Sequence, residues 1–351
     1  MFRSSSKLLN TFTGHTHCVY SIDHSIFNGE QFICSASGDN TIRVWDIEDN
    51  KQFRSFDGHS NAVNCVKFSQ YHYHNHRQNV ICSSSWDKTI RFWDIKENRQ
   101  LKLLNEHTDG VGGIEFSSFS CGRYLCSGSI DKTIRLWDIE TSKLLHIFNG
   151  HENGIWCVDI SPLQSKNDNN KSSNIDMIGG NGYTICSGSL DTTIRIWDIE
   201  TAKQFIVFKG HEDYVISVKY GPNELRNTIL SGSEDKNVCL WDIRSSQQIQ
   251  VFSGHTRNVN AVEYSPFVID NNIKVDECNV ICSGSLDNTI RFWDIRSNKN
   301  ELYVINGDKK DNGIYCLEFL QLKKTRNNNN GCGYCINLCY GSLNGCIYIW
   351  G

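Results

Sequence analysis

The sequence predicts an all-β protein built from seven repeated units, each a meander of four short antiparallel strands. Three observations carry the prediction. A short β-type segment ends in tryptophan seven times, at Trp45, Trp93, Trp137, Trp197, Trp241, Trp293 and Trp350, six of them as Trp-Asp-Ile, at intervals of 44 to 60 residues. Self-similarity at that period marks a repeat architecture. Between these tryptophans, runs of β-branched and aromatic residues are broken by Gly, Asp, Asn or Ser, and no stretch sustains a 3.6-residue apolar period. The two ends of the chain are also complementary: the last unit stops after three strands, and the first residues supply a fourth.

Each unit runs in the same order. A Gly-His pair opens it, and an alternating apolar strand (a) follows about five residues later. Cys-Ser-x-Ser-x-Asp ends strand b, and Thr-Ile-Arg-x-Trp-Asp-Ile forms strand c. A segment such as Lys143 to Phe148 then supplies strand d. In the fourth unit these are Gly150-His151, Ile155 to Ile160, Cys186 to Asp191 and Thr193 to Ile199. At the N-terminus, Lys7 to His15 matches Lys143 to His151 almost position for position, so residues 7–13 form a strand d without a preceding unit. Pairing it with the seventh unit closes a ring and removes both sheet edges.

In these residues and this register the chain resembles the WD-repeat proteins over residues 7–351. The resemblance implies one domain, a seven-bladed β-propeller of four-stranded antiparallel blades. It also implies a structural hydrogen-bond tetrad in six blades: His15, Ser35, Asp39 and Trp45, with Ser37 the other candidate serine; His59-Ser83-Asp87-Trp93; His107-Ser127-Asp131-Trp137; His151-Ser187-Asp191-Trp197; His211-Ser231-Asp235-Trp241; and His255-Ser283-Asp287-Trp293. A hydrolase needs the same residue types, but a catalytic site is not repeated six times, whereas buried strands of a repeat need their polar groups satisfied. The seventh unit departs from the pattern, with Asp308, Tyr340 and Asn344 where His, Ser and Asp are expected. Blade seven is therefore expected to be the softest.

The formal net charge of −4 leaves no basic footprint for nucleic acid, and there is no polybasic run for a membrane surface. No apolar stretch approaches a membrane span or a signal peptide. Among 16 cysteines, Cys34, Cys82, Cys126, Cys186, Cys282 and Cys339 hold the same place in six units. Equivalent places in a ring lie too far apart to bridge, so these read as small buried apolar residues in a reducing compartment, cytoplasmic or nuclear. The sequon Asn170-Lys171-Ser172 is then idle. His72, His74 and His76 read as a solvated loop, and Cys332, Cys335, Cys339 and Cys346 lack the paired arms of a structural zinc site. No catalytic residue, metal or cofactor is expected.

Insertions near 69–79, 161–182, 265–278 and 321–334, rich in Asn, Lys and Ser, all fall between strands a and b and so decorate one face. The opposite face stays trimmed. Two tryptophans lie outside the repeat: Trp86, equivalent to Gly38, Ile130, Leu190, Glu234, Leu286 and Leu343, and Trp156, equivalent to Tyr20, Asn64, Gly112, Ile216, Asn260 and Tyr315. The resemblance places both positions at the rim of the central channel. With Tyr214, the rim residues Tyr20, Trp86, Ile130, Trp156, Leu190, Ile216, Glu234, Leu286 and Tyr315 are the candidate partner-binding set, although several could instead pack between blades. The expected function is a non-enzymatic scaffold docking a peptide or protein segment, monomeric itself within a larger complex. The alternatives are a histone-tail-reading subunit, in which Tyr20, Trp156 and Tyr315 would clamp a basic side chain, and a G-protein β-type subunit. The latter family carries an N-terminal helix, and only six residues precede the closing strand here.

Overall fold

The computed structural model describes residues 7–161, 183–222, 225–266, 279–297, 301–323 and 334–351. The sheets number seven, each of four antiparallel strands in the order a-b-c-d. In blade one these are Val19–Phe27, Glu30–Ser37, Thr41–Asp46 and Lys51–Asp57. Strand a of every blade touches strand a of the next, and blade seven touches blade one, so the seven inner strands ring a central channel.

Burial follows position in the blade. Strand b is covered on both faces by neighbouring blades, and Val80–Ser85, Thr184–Ser189 and Val280–Ser285 are buried at every residue. Such a strand reads as an unbroken run of apolar and small residues. Cys34, Cys82, Cys126, Cys186, Cys282 and Cys339 sit here at 0% exposure as free thiols. The outer strand d alternates instead, as in Lys143–Asn149.

Closure occurs as expected. Leu8–Phe12 pairs antiparallel with Ile347–Trp350, placing Phe12 opposite Ile347, and the Lys7 and Gly351 backbones exchange two further bonds. Leu8–Phe12 is thus strand d of blade seven, whose others are Ile314–Lys323, Tyr334–Ser342 and Ile347–Trp350.

The insertions require two corrections. Residues 69–79 are not a solvated loop: Gln70–His76 is a short helix that buries Tyr71 and His72. Tyr71 joins the core of Val80, Phe92, Leu104 and Trp137, and Ser69 Oγ is 2.8 Å from His72 Nδ1. Two turns are too short to show a period, and packing stabilises them. His74 and His76 are exposed. In blade seven the a–b hairpin runs on into the presumed loop, with Leu322 opposite Cys335. Most of the other insertions, the sequon, Cys332 and the Cys335 side chain lie outside the described residues. No helix among the described residues is long and apolar enough to cross a membrane.

Candidate functional site

Six tetrads form with one geometry. The indole Nε1–H donates to the serine Oγ at 2.8–2.9 Å. That oxygen lies 2.7–2.8 Å from histidine Nε2. Histidine Nδ1 lies 2.6–2.9 Å from the aspartate Oδ2. In blade one the serine is Ser35, while Ser37 donates to the His17 carbonyl instead. Burial lowers the pKa of His15, opposed by Asp39. A neutral ring that donates from Nδ1 and accepts at Nε2 satisfies both neighbours. Burial pushes the Asp39 carboxyl up, but hydrogen bonds from His15 and Thr41 hold it well below the usual carboxylate range. Each tetrad serine is 0% exposed and already takes up the indole and imidazole, so no substrate reaches its hydroxyl. These six constellations hold strands together.

Blade seven substitutes a different network. The repeat alignment puts Asp308 at the histidine position, but the residue that turns inward is Asp311, 0% exposed. Its Oδ2 accepts from Tyr340 Oη at 3.1 Å and its Oδ1 from Asn344 Nδ2 at 3.1 Å. The loop before strand a is two residues longer here, which shifts the position. Trp350 Nε1 is buried without a partner.

The trimmed face is set by the same turns. The residue before each turn aspartate donates its backbone N–H to the loop carbonyl just ahead of strand a, as in Trp86 to Ala62, Ile130 to Gly110, Leu190 to Gly154 and Leu286 to Asn258. That bond aims its side chain over the next blade. Glycine there makes room: a Cβ on Gly110 would lie 2.4 Å from the Trp86 ring, and one on Gly154 would lie 2.8 Å from Ile130. Ile130 and Leu286 therefore do pack between blades while staying partly exposed. Trp86 reaches further. Its ring meets Trp156 at 5.9 Å and 63°, two blades away. On the other side of the channel Tyr20 and Tyr315 meet at 5.3 Å and 83°. Burial beside the Cys18 thiol pushes both phenols up to about 12.

Tyr20, Trp156, Ile216, Glu234, Leu286 and Tyr315 line a channel cavity of about 340 Å³. Trp86, Ile130, Leu190 and Tyr214 stand on the face around it; Tyr214 is 40% exposed. Inside the mouth comes a layer of small residues such as Ser21, Cys65, Gly113 and Cys157. Two residues further along every strand a stands a charged side chain: Asp23, Lys67, Glu115, Asp159, Lys219, Glu263 and Glu318. Sequence reading missed this layer, although its signal was present at the fifth position of every strand a. Lys67 pairs with Glu115 at 2.8 Å and Lys219 with Glu263 at 3.0 Å. Asp23 and Asp159 accept the backbone N–H of Phe68 and Tyr220, both at 2.7 Å.

A family model described as "WD domain, G-beta repeat" matches residues 6–46, 50–94, 98–138, 142–198, 202–242 and 246–294. The chain is also 39% identical over 64 residues to an E3 ubiquitin-protein ligase COP1 of Arabidopsis thaliana, covering 18% of this chain and 9% of the relative. A nuclear distribution protein PAC1 of Fusarium vanettenii is 36% identical over 63 residues, covering 18% and 14%. A peroxisomal targeting signal 2 receptor of Mus musculus is 38% identical over 55 residues, covering 16% and 17%. The matches thus span less than a fifth of each of these relatives.

Proposed function

Because the chain belongs to the WD-repeat family, whose model matches six of its seven blades, we propose that it is a non-enzymatic scaffold docking a peptide or protein segment on the channel-mouth face. One observation carries the reading: Trp86 and Trp156, outside the repeat register, stand together at the mouth and are only partly covered. Large aromatics grouped around a cavity and ringed by aliphatic side chains are what a binding hot spot requires. The relatives' printed descriptions, a ubiquitin ligase, a distribution protein and a targeting-signal receptor, include one protein named as a receptor for a signal. The polar hydroxyl–imidazole–carboxylate sets are all occupied in the tetrads, which supports a binding role over a catalytic one.

Affinity capture with the intact chain, repeated with Trp86→Ala and Trp156→Ala, tests this. Loss of the captured partner in both variants, with unchanged melting, supports the assignment. Affinity within about 0.5 kcal/mol of wild type in both would remove it.

A further inference from the structure

The outer edge of the ring is guarded unevenly. Strand d is the last strand of every blade, so one row of its backbone N–H and C=O groups faces outward, and charge commonly keeps such an edge from pairing with another chain. The outer strands of blades one to four, Lys51–Asp57, Arg99–Leu104, Lys143–Asn149 and Lys203–Phe208, each carry at least one lysine or arginine. In blades one, two, four and six an arginine of strand c also reaches across to a side chain at the start of strand d, as Arg91 Nη1 does to Gln100 at 3.0 Å. Blade five has neither device. Its strand d, Gln247–Ser253, holds no charged residue over seven positions. Cys239 stands where the arginine would be, directly opposite Val251, so no guanidinium reaches Gln248, the counterpart of Gln100. The uncharged outer strands of blades six and seven are shorter, at four and five residues. On blade five Ile249 is 53% exposed, the most of any large apolar side chain described, and Val251 is 43% exposed.

We propose that two copies of this chain associate through blade five, their Gln247–Ser253 strands pairing antiparallel into one continuous sheet. A two-fold contact requires a surface that complements itself, and this strand does. Turned about Gln250, it meets its own copy with Ile249 opposite Val251 on both sides of the axis. Pairs of β-branched side chains across neighbouring strands stabilise a sheet, and no charge is taken out of water. The same operation on blade one sets Arg54 against Arg54, and on blade three it sets His146 against His146. Gln250 Nε2 also donates to the Ser297 carbonyl of blade six at 3.1 Å, which holds the pairing edge in place. A contact one strand long stays below about 1,200 Å², so the association is weak and depends on concentration. It lies at the rim of the ring, away from the channel mouth, so each copy keeps its docking face and the pair presents two.

Sedimentation velocity of the full chain from micromolar to millimolar concentration tests the proposal. The expected result is a monomer–dimer equilibrium that stops at two copies. Val251→Lys places a cation on the edge beside its own copy and should weaken association at least tenfold. Ile147→Lys, at the equivalent position of blade three, should leave it unchanged, and melting curves report the folding of both variants. Gln250→Cys gives a second reading. The residue on the axis faces its own copy, so mild oxidation should link two chains through it, above the background of wild type with its exposed Cys121. A sedimentation coefficient that stays constant to millimolar concentration would overturn the proposal. So would association that survives Val251→Lys or grows beyond two copies, equal weakening by Ile147→Lys, or no added cross-link in Gln250→Cys. Each of these outcomes leaves the docking face standing, because that is judged by Trp86→Ala and Trp156→Ala on the captured partner.

Discussion

Trp86 and Trp156 meet edge to face at 5.9 Å although blade three lies between them. The contact exists because blade three offers no side chains at the crossing. Trp86 lies over Gly110, and Gly112 and Gly113 let strand a of blade three close on strand a of blade four, where a Cβ on Gly112 would stand 2.5 Å from the Trp156 carbonyl. Three glycines in one blade thus create a bond between its two neighbours.

Gly110→Ala tests this directly. The new methyl would fall 2.4 Å from the Trp86 ring, while Gly110 has no left-handed backbone that alanine would strain. The ring must swing away from Trp156. The expected outcome is a loss of exciton-type signal in the near-ultraviolet circular dichroism and a partner affinity about tenfold weaker, or about 1.4 kcal/mol. Overpacking should cost about 1–3 kcal/mol of stability. An unchanged spectrum would show that the two indoles do not interact.

The tetrads predict an unequal ring. Ser127→Ala leaves Trp137 Nε1 and His107 Nε2 without partners in a buried site, which at about 1–3 kcal/mol for each group should cost about 2–6 kcal/mol. Tyr340→Phe in blade seven removes one bond to Asp311 and should cost about 1 kcal/mol. Blade seven also already carries an unpaired Trp350 Nε1. Native-state hydrogen exchange should therefore show strands of blade seven opening before those of blades one to six. Equal protection throughout would contradict this.

Two sets of groups titrate with opposite sign. Burial holds His15, His59, His107 and His151 below the ordinary 6.5. As pH falls through that value the unfolded chain takes up protons first, so this contribution is intact above 6.5 and is lost on acidification. Glu318 has the reverse sign, because its carboxyl lies near 8 in the fold against 4.5 ordinarily. Its contribution is intact below 4.5 and is lost as pH rises through 8. Glu318→Gln removes only this second dependence. Melting temperatures of variant and wild type should coincide near pH 4.5 and diverge in the variant's favour until pH passes 8. A constant difference across that range would show that Glu318 is ionised throughout.

The fold and its tetrads were legible in the sequence where position in the repeat decides the outcome. The indole of Trp45 must find a hydroxyl ten residues back, and Ser35 is there in register. Residues 7–13 must close the ring, and in doing so they place the Phe12 ring 5.4 Å, centroid to centroid, from Trp45 of the adjoining blade one. Where packing rather than pattern decides, the sequence was silent. His72 looked solvated because a two-turn helix has no readable period, yet Tyr71 draws it inward. The repeat alignment puts Asp308 at the histidine position while Asp311 is the one that turns inward, because an extra two residues in a loop leave no mark on the strands that follow. The Glu318 layer was overlooked for another reason: a charged residue at every fifth position of strand a reads as a solvated face until the strands are known to ring a channel.

Thr192 carries a cost that the other blades avoid. It sits in the left-handed region at φ 67°, where they use Asn40, Lys88, Lys132, Lys236, Asn288 and Gly345, none of them β-branched. A β-branched residue is disfavoured there. Thr192→Asn should stabilise the fold by about 1 kcal/mol. A denaturant midpoint that falls instead would indicate that the threonine has packing contacts worth more than its backbone strain.

Closure of the ring predicts how it fails. The segment Leu8–Phe12 supplies the fourth strand of blade seven and inserts Phe12, 2% exposed, against Trp45. Phe12→Ala should cost about 3–5 kcal/mol, as for other buried phenylalanines. Deleting residues 1–13 goes further, since it leaves the Ile347–Trp350 strand as an open edge beside buried Ile347 and Ile349. An exposed apolar edge pairs with the nearest strand available, so the truncated chain should self-associate in size-exclusion chromatography. The two effects separate by permutation. Moving residues 7–14 behind Gly351 through a short glycine-serine linker restores the strand without its covalent origin. That variant should regain the elution volume of the intact chain and most of the lost stability. Persistent association would mean that the N-terminal segment holds the ring through something other than its pairing with blade seven.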